Sequence, residues 1–366
     1  VRGGCLFLGR RAGLVRTAVG DGGGLWSHLV STVLPGYVSN TLLLMAGVGV
    51  LAICFGVSTA WVVTRYEFPG RRLFEWMLLL PAAIPAYIIA YTYTDFLEYA
   101  GPVQSMLRDM FGWRRPADYW FPEIRSLGGA MLVMASVLYP YIYMVTRIAF
   151  RLTPASLFEI AIVHNKSQFW SVGLPLARPA ITAGLALVLM EVVSDFGTVE
   201  YFAVETITLG IFNVWLGMNN IVAAAQISLF GFVFILSLLG LELYARSRQR
   251  YSGGTRKHAG LTHMVPSTRG QIACIAVCVL PLLTGFVVPV GVLLKLVLAA
   301  PIAAQFAPVT GTIIASVGMA ASAALIIVLL STLIVIAATY RGGVFVRQLA
   351  VAASTGYAIP GTMLSI

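Results

Sequence analysis

Seven stretches of this sequence run for about 20 residues without a charged side chain. They lie at 41–64, 76–94, 126–146, the C-terminal part of 206–241, 270–294, the later part of 296–340 and 348–366. An eighth opens at Pro179 and is interrupted by Glu191 and Asp195. A helix rises about 1.5 Å per residue, so each run matches the roughly 30 Å of hydrocarbon in a bilayer. The runs are continuously apolar and do not alternate, which predicts helices and excludes strands of a membrane barrel. The expected fold is therefore all-α, a polytopic membrane protein of about eight transmembrane helices. Composition agrees: 59% of residues are hydrophobic and 10% charged, with a mean hydropathy of +0.88.

A net charge of +10 could suggest nucleic acid, but in a membrane protein the placement of charge matters more than its sum. If the first span runs from outside to inside, the inner loops carry Arg65, Arg71 and Arg72, then Arg147, Arg151, Lys166 and Arg178, then the basic cluster at 246–269 and finally Arg341 and Arg347. The outer loops mix Arg108, Arg114, Arg115 and Arg125 with Asp95, Glu98, Asp109, Asp118 and Glu123. The excess of cations on one side fixes the orientation. No nucleic-acid partner is expected, and membrane lipid is. Cys274 and Cys278, one turn apart in an apolar run without a nearby histidine or acid, read as packing residues rather than metal ligands.

Four segments follow from the same pass along the chain. Residues 1–36 are rich in glycine and arginine without an apolar core, a leader that is disordered or incomplete. Residues 37–245 make a first membrane module. Residues 246–269 combine basic side chains with Gly253, Gly254, Gly260 and Pro266, the chemistry of a cytoplasmic linker. Residues 270–366 start a second module. The order of apolar span, Arg65, short "GRR" loop and "LLLPAAIPAYIIA" is echoed by apolar span, Arg341, short "GGVFVR" loop and "VAASTGYAIPGTML". On that repeat the second module stops early, and the chain is expected to be truncated.

Chemistry lies where the apolar pattern breaks. The stretch "RLTPASLFEIAIVHNKSQFWSVGLPLARPAI" mixes charged, apolar and aromatic residues on the inner side. Helical spacing puts Leu157, Ile160, Ala161 and His164 near one face, which suits either a partner-docking helix or a plain connector. In "LMEVVSDFGTVEYF", Glu191 and Asp195 are four residues apart and would share a helical face, with Thr198, Glu200 and Glu205 further out. Carboxylates at membrane depth are costly, so they mark either a translocation path or hydrogen bonds to neighbouring helix ends. Hard cations favour such oxygens, which leaves metal ligation during transport open. "TITLGIFNVWLGMNN" is too polar for a plain crossing and suggests a re-entrant or interfacial helix. There is no phosphate-binding glycine loop and no hydrolytic triad or zinc motif, so the chain is expected to be no enzyme, and any ATP must be bound elsewhere.

These segments resemble the permease subunits of bacterial ABC importers, in particular the iron(III) type with two fused transmembrane modules. The resemblance rests on "NTLLLMAGVGVLAICFGVSTAW", "FEIAI" with "FWSVGLPLARPAI", "LMEVVSDFGTVEYF" followed by "TITLGIFNVW", and "GYAIPGTML". It implies the type I importer permease fold, an inner-membrane location and a cytoplasmic coupling loop that docks on ABC ATPase subunits. Carried over to this sequence, Glu159 and Ala161 open that loop and Leu174 and Pro175 close it. Ile160 stands at the motif's second position, and the expected following glycine is missing. Glu191, Asp195, Thr198 and Glu200 would line the translocation path. The resemblance further implies an extracytoplasmic iron(III)-binding protein as partner, no cofactor of the chain's own, and a second coupling loop beyond Ile366. Permeases for thiamine, polyamine, sulfate or phosphonate share most of these features, and an ion-gradient-driven transporter with carboxylate proton carriers is the alternative of another class.

Overall fold

The computed structural model describes residues 31–247, 263–299 and 306–340. Most of the leader, the centre of the basic linker and the run at 348–366 lie outside them. Every named element is helical, in the order α1 (Leu34–Arg65), α2 (Arg71–Met77), a short turn of 3-10 helix (Leu80–Ala83), α3 (Ala86–Leu97), α4 (Pro102–Phe111), α5 (Leu127–Leu152), α6 (Ala155–Val163), α7 (Leu174–Ser194), α8 (Gly197–Tyr201), α9 (Ile207–Phe212), α10 (Ile221–Ser247), α11 (Thr268–Leu282), α12 (Val288–Ala299) and α13 (Phe306–Tyr340).

Among the described residues, five helical stretches are long and apolar enough to cross a membrane: Leu34–Arg65, Leu127–Leu152, Phe169–Ser194, Thr268–Ala299 and Thr310–Ala337. The expected straight span at 76–94 is instead broken. Arg71–Ala83 and Ala86–Phe111 meet at 90°, because Pro81 and Pro85 remove two backbone donors and clash with the preceding turn. Within 206–241 the polar start and the apolar C-terminal part are separate helices, as the sequence divides them. Ile207–Gly217 is too short to cross, and α10 starts afresh after a turn at Asn219, whose φ is 50°. Of the about eight spans expected, the described residues hold five single ones, the bent pair and α10, and the run at 348–366 lies outside the described residues.

Close backbone approach organises the core. Apolar side chains gain nothing by leaving lipid for protein, so membrane helices associate through small residues and tight packing. Gly56 of α1 and Gly184 of α7 both face Ile142 of α5; a Cβ on either would come within 2.8 Å of an Ile142 carbon. Leu44, Val48 and Ala52 of α1 are sealed in the same core with Met134, Tyr139 and Tyr143 of α5. The α11–α12 stretch reaches this core at Gly285, where a Cβ would sit 2.2 Å from the Ser136 carbonyl oxygen. Tyr93 Oη donates to the Thr284 carbonyl at 2.7 Å and ties α3 to the same crossing. Cys274 and Cys278 are buried there, and among the described residues no group of three or more metal-ligating side chains forms.

The polar side chains sort the helix ends. At one end, Glu75 accepts from Arg71 at 2.8 Å, from Arg151 at 3.0 Å and from Arg147. There too Met264 pairs with the strand-like residue Tyr66, with Met264 N–H on the Arg65 carbonyl and Glu67 N–H on the Met264 carbonyl, both at 2.9 Å. At the opposite end, Arg125 pairs with Glu98 at 2.7 Å and Asn40 donates to the Glu205 carbonyl at 3.0 Å. The arginine-rich end is the cytoplasmic one by the bias of charge.

Candidate functional site

On the cytoplasmic side α6 is the break between α5 and α7 that the sequence singled out. Pro154 starts it, and its C-terminus closes with Asn165 at φ 53°. Asn165 N–H bonds the Ile162 carbonyl at 2.9 Å and Lys166 N–H bonds the Ala161 carbonyl at 2.8 Å. This pair of bonds is a Schellman cap, which requires a left-handed residue; asparagine is the best substitute for glycine in that conformation. Asn165 thus holds the left-handed turn that a glycine ordinarily makes.

Of the four residues that helical spacing placed near one face of α6, three are exposed and one is buried. Phe158 and Ala161 turn inward, whereas Leu157, Ile160 and His164 are exposed. Phe158 decides the rotation, since it is 1% exposed and sits 6.0 Å from the Trp61 ring with the Arg65 guanidinium 5.1 Å from its own centroid. Trp61 also packs edge-on against Phe150 at 5.2 Å and Phe169 at 5.1 Å. Arg65 Nε donates to Gln168 Oε1 at 2.8 Å. Gly173 lets the wide turn at Phe169–Gly173 approach, because a Cβ there would come 2.6 Å from the indole. One tryptophan therefore links α1, α5, α6 and the start of α7. Through these ring contacts α6 is packed against two spanning helices.

Among the described residues the other face of α6 is left uncovered. Ile160, Ile162 and Val163 are 54%, 52% and 83% exposed, as is Trp170 at 68%. Glu159 is exposed between them, Ala161 is buried, and Leu174 and Pro175 are half-buried in the first turn of α7. Four apolar side chains and one carboxylate on a short cytoplasmic helix and its exit turn make a surface suited to a protein groove.

About 20 Å above Arg178 along α7, toward the outer side, lies the second cluster. Glu191 is half-buried in the last turn of α7. Asp195 does not share its helical face. The helix ends at Ser194, and Asp195 takes an extended conformation. Its Oδ1 accepts from Thr198 N–H at 2.7 Å and its Oδ2 from Thr198 Oγ1 at 2.9 Å. Thr198 is fully buried and Glu200 is exposed. Asp195 thus caps the start of α8, which lies against α3 because a Cβ on Gly197 would already stand 3.0 Å from Tyr87 Cβ. Of the four carboxylate and hydroxyl residues expected on one path, the structure brings Asp195 and Thr198 together; Glu200 turns outward.

Sequence reading missed Trp61, Arg65, Phe158, Gln168 and Gly173. They lie in three separate segments with no shared period, so only their meeting in space marks them.

No protein-family model matches the chain. Over 216 residues it is 27% identical to the Fe(3+)-transport system permease protein FbpB 2 of Haemophilus influenzae, covering 58% of this chain and 38% of that protein. Over 151 residues it is 27% identical to the molybdenum transport system permease protein ModB of Escherichia coli, covering 40% of this chain and 62% of ModB. The chain is a relative of ABC importer permeases. A putative 2-aminoethylphosphonate transport system permease protein, PhnU of Salmonella choleraesuis, is 24% identical over 220 residues, 58% of this chain and 76% of that one. Among solved structures, a bacterial ABC transporter involved in the import of the acidic polysaccharide alginate superposes with a TM-score of 0.50 at 17% identity, over 62% of this chain and 83% of that one. This likeness shows the fold shared with an ABC transporter chain. The permease relative is a multi-pass inner-membrane protein, and it spans less than two thirds of the first two relatives' length.

Proposed function

We propose that the chain is the permease component of an ABC importer, in which a separate ATPase drives alternation of a solute pathway through the membrane. The observation that carries this reading is α6: an apolar face turned to the cytoplasm, latched by Phe158 to a tryptophan that also touches α5 and the start of α7. Glu159 at α6, with Leu174 and Pro175 where α7 starts, forms the coupling surface for the ATPase, and Ala161, turned inward, seats that helix on the core. Glu191, Asp195, Thr198 and Glu200 belong to the outer part of the path. Two modules joined by the linker at 246–269 complete the arrangement, of which residues 37–245 are the first.

Iron(III), delivered by an extracytoplasmic binding protein, is the substrate we favour. Similarity to an Fe(3+)-transport permease over 216 residues supports it; relatives named for molybdenum and 2-aminoethylphosphonate transport make those oxyanions the second reading. The test is uptake by the chain co-reconstituted with its cognate ATPase and binding protein. Iron(III) uptake that requires ATP hydrolysis is the expected result. Uptake that persists without ATP and collapses with the proton gradient refutes the importer reading, and ATP-dependent uptake of molybdate or a phosphonate in place of iron refutes the substrate alone.

A further inference from the structure

At the cytoplasmic end, between the last turn of α1, α2, the end of α5 and the residues that lead into α11, lies a cavity of about 530 Å³. Its wall includes Thr64, Arg71, Arg72, Glu75, Arg151 and His263. The charges there do not balance. Glu75 is shared by Arg71, Arg147 and Arg151, and Arg71 has Glu67 as a second partner at 3.0 Å. Among the described residues Arg72 meets no carboxylate. Four guanidinium groups thus face two acids, with Arg71 only 9% exposed. The buried Arg71 is paired twice, and the guanidinium left over, Arg72, is exposed and open to a counter-ion from outside the chain.

Two further observations point to what supplies it. The hydroxyl of Thr64, a residue 4% exposed, is buried with no hydrogen-bond partner among the described residues, and Thr64 lines this cavity. Buried hydroxyls are ordinarily paired. Trp76, also on the wall, is 74% exposed and stands beside Leu73 at 63%. An apolar surface carrying an exposed tryptophan at the end of a spanning helix belongs to the membrane interface. His263 agrees with the sign of the field: burial, and then Arg71, hold its pKa below the usual imidazole value.

We propose that this cavity binds a phosphate-bearing anion at the cytoplasmic membrane surface, with Arg72 and the Thr64 hydroxyl as its free donors. The phosphate of an anionic lipid headgroup and free inorganic phosphate share that chemistry. Arginine beside a hydroxyl is a strong donor set for phosphate oxygens. The bound anion would join α1, α2 and α5 to the residues before α11, because His263 adjoins the Tyr66–Met264 pairing. This inference does not depend on the transported solute.

The test uses the full chain in two arms. In nanodiscs of mixed phosphatidylcholine and phosphatidylglycerol, native mass spectrometry counts the phosphatidylglycerol retained by the protein. In nanodiscs of phosphatidylcholine alone, inorganic phosphate is titrated by calorimetry. Arg72→Gln is expected to weaken binding about tenfold, the loss of one charge-assisted hydrogen bond. Thr64→Val should weaken it by a smaller factor, and Arg178→Gln, an exposed cytoplasmic arginine outside the cavity, should leave it unchanged. Thermal melts of each variant separate lost binding from lost folding. Binding in the first arm assigns a lipid headgroup, and binding in the second assigns free phosphate. The proposal is overturned if neither probe binds the parent chain more tightly than Arg72→Gln, or if Arg178→Gln reduces binding as much.

Discussion

Replacing Phe158 with alanine should release α6 from the membrane core while leaving the spanning helices folded. Phe158 is 1% exposed, lies against Trp61 at 6.0 Å and has the Arg65 guanidinium over its ring at 5.1 Å. Truncating a buried phenylalanine costs about 3–5 kcal/mol, and the ring and cation contacts are part of that sum. The loss falls on a nine-residue helix whose only other buried residue is Ala161, so little else holds it. Local opening should therefore rise before global unfolding does. A loss of about 3 kcal/mol corresponds to amide exchange more than a hundredfold faster in residues 155–166. Hydrogen–deuterium exchange of the purified chain reads this directly, and pull-down with the cognate ATPase reads the consequence. Ile160→Ala, on the exposed face, should weaken ATPase capture without altering exchange. Unchanged exchange in 155–166, or an equal rise throughout α1 and α5, would refute the latch.

Three other perturbations probe the core, the outer cluster and the outer loop. Gly184→Val forces a side chain into the backbone of α5 at Ile142 and should destabilise the chain by about 1–3 kcal/mol; an unchanged melting temperature in detergent would contradict the tight α5–α7 crossing. Asp195→Ala leaves the N–H and hydroxyl of the fully buried Thr198 without their acceptor, costing about 1–3 kcal/mol. A double-mutant cycle with Thr198→Val should recover part of that loss, and strict additivity would argue against the cap. Asp118 receives the N–H groups of Arg114 and Arg115 at 2.8 and 2.9 Å, which hold its pKa below the usual carboxylate range. Its contribution to loop order is full above the unfolded aspartate pKa and is lost as pH falls through the lower folded value. The stack of Trp113 on Tyr119 at 4.7 Å should loosen in that window, seen by near-ultraviolet circular dichroism, and Asp118→Asn should abolish the transition.

What the sequence determined by itself is the solvent and the direction of the chain. Uncharged runs of spanning length demand a bilayer, and the pile-up of arginine on one set of loops orients it, because both effects act on residues one at a time. The position of the cytoplasmic break was legible in the same way, whereas the end of the helix at Ser194 was not. Tertiary structure decided both that end and what the cytoplasmic break does. Glu191 and Asp195 sit four apart in sequence, yet the helix ends between them, since the Thr198 amide and hydroxyl offer Asp195 a better partner than another turn of helix. Pro81 and Pro85 were visible, but whether they kink a span or divide it depends on what packs around them, and here Gly285 approaches Pro81 from a helix some 200 residues later. The inward face of α6 follows from Trp61, which lies nearly a hundred residues before it. Periodicity reports which residues share a face; only packing decides which face finds a partner.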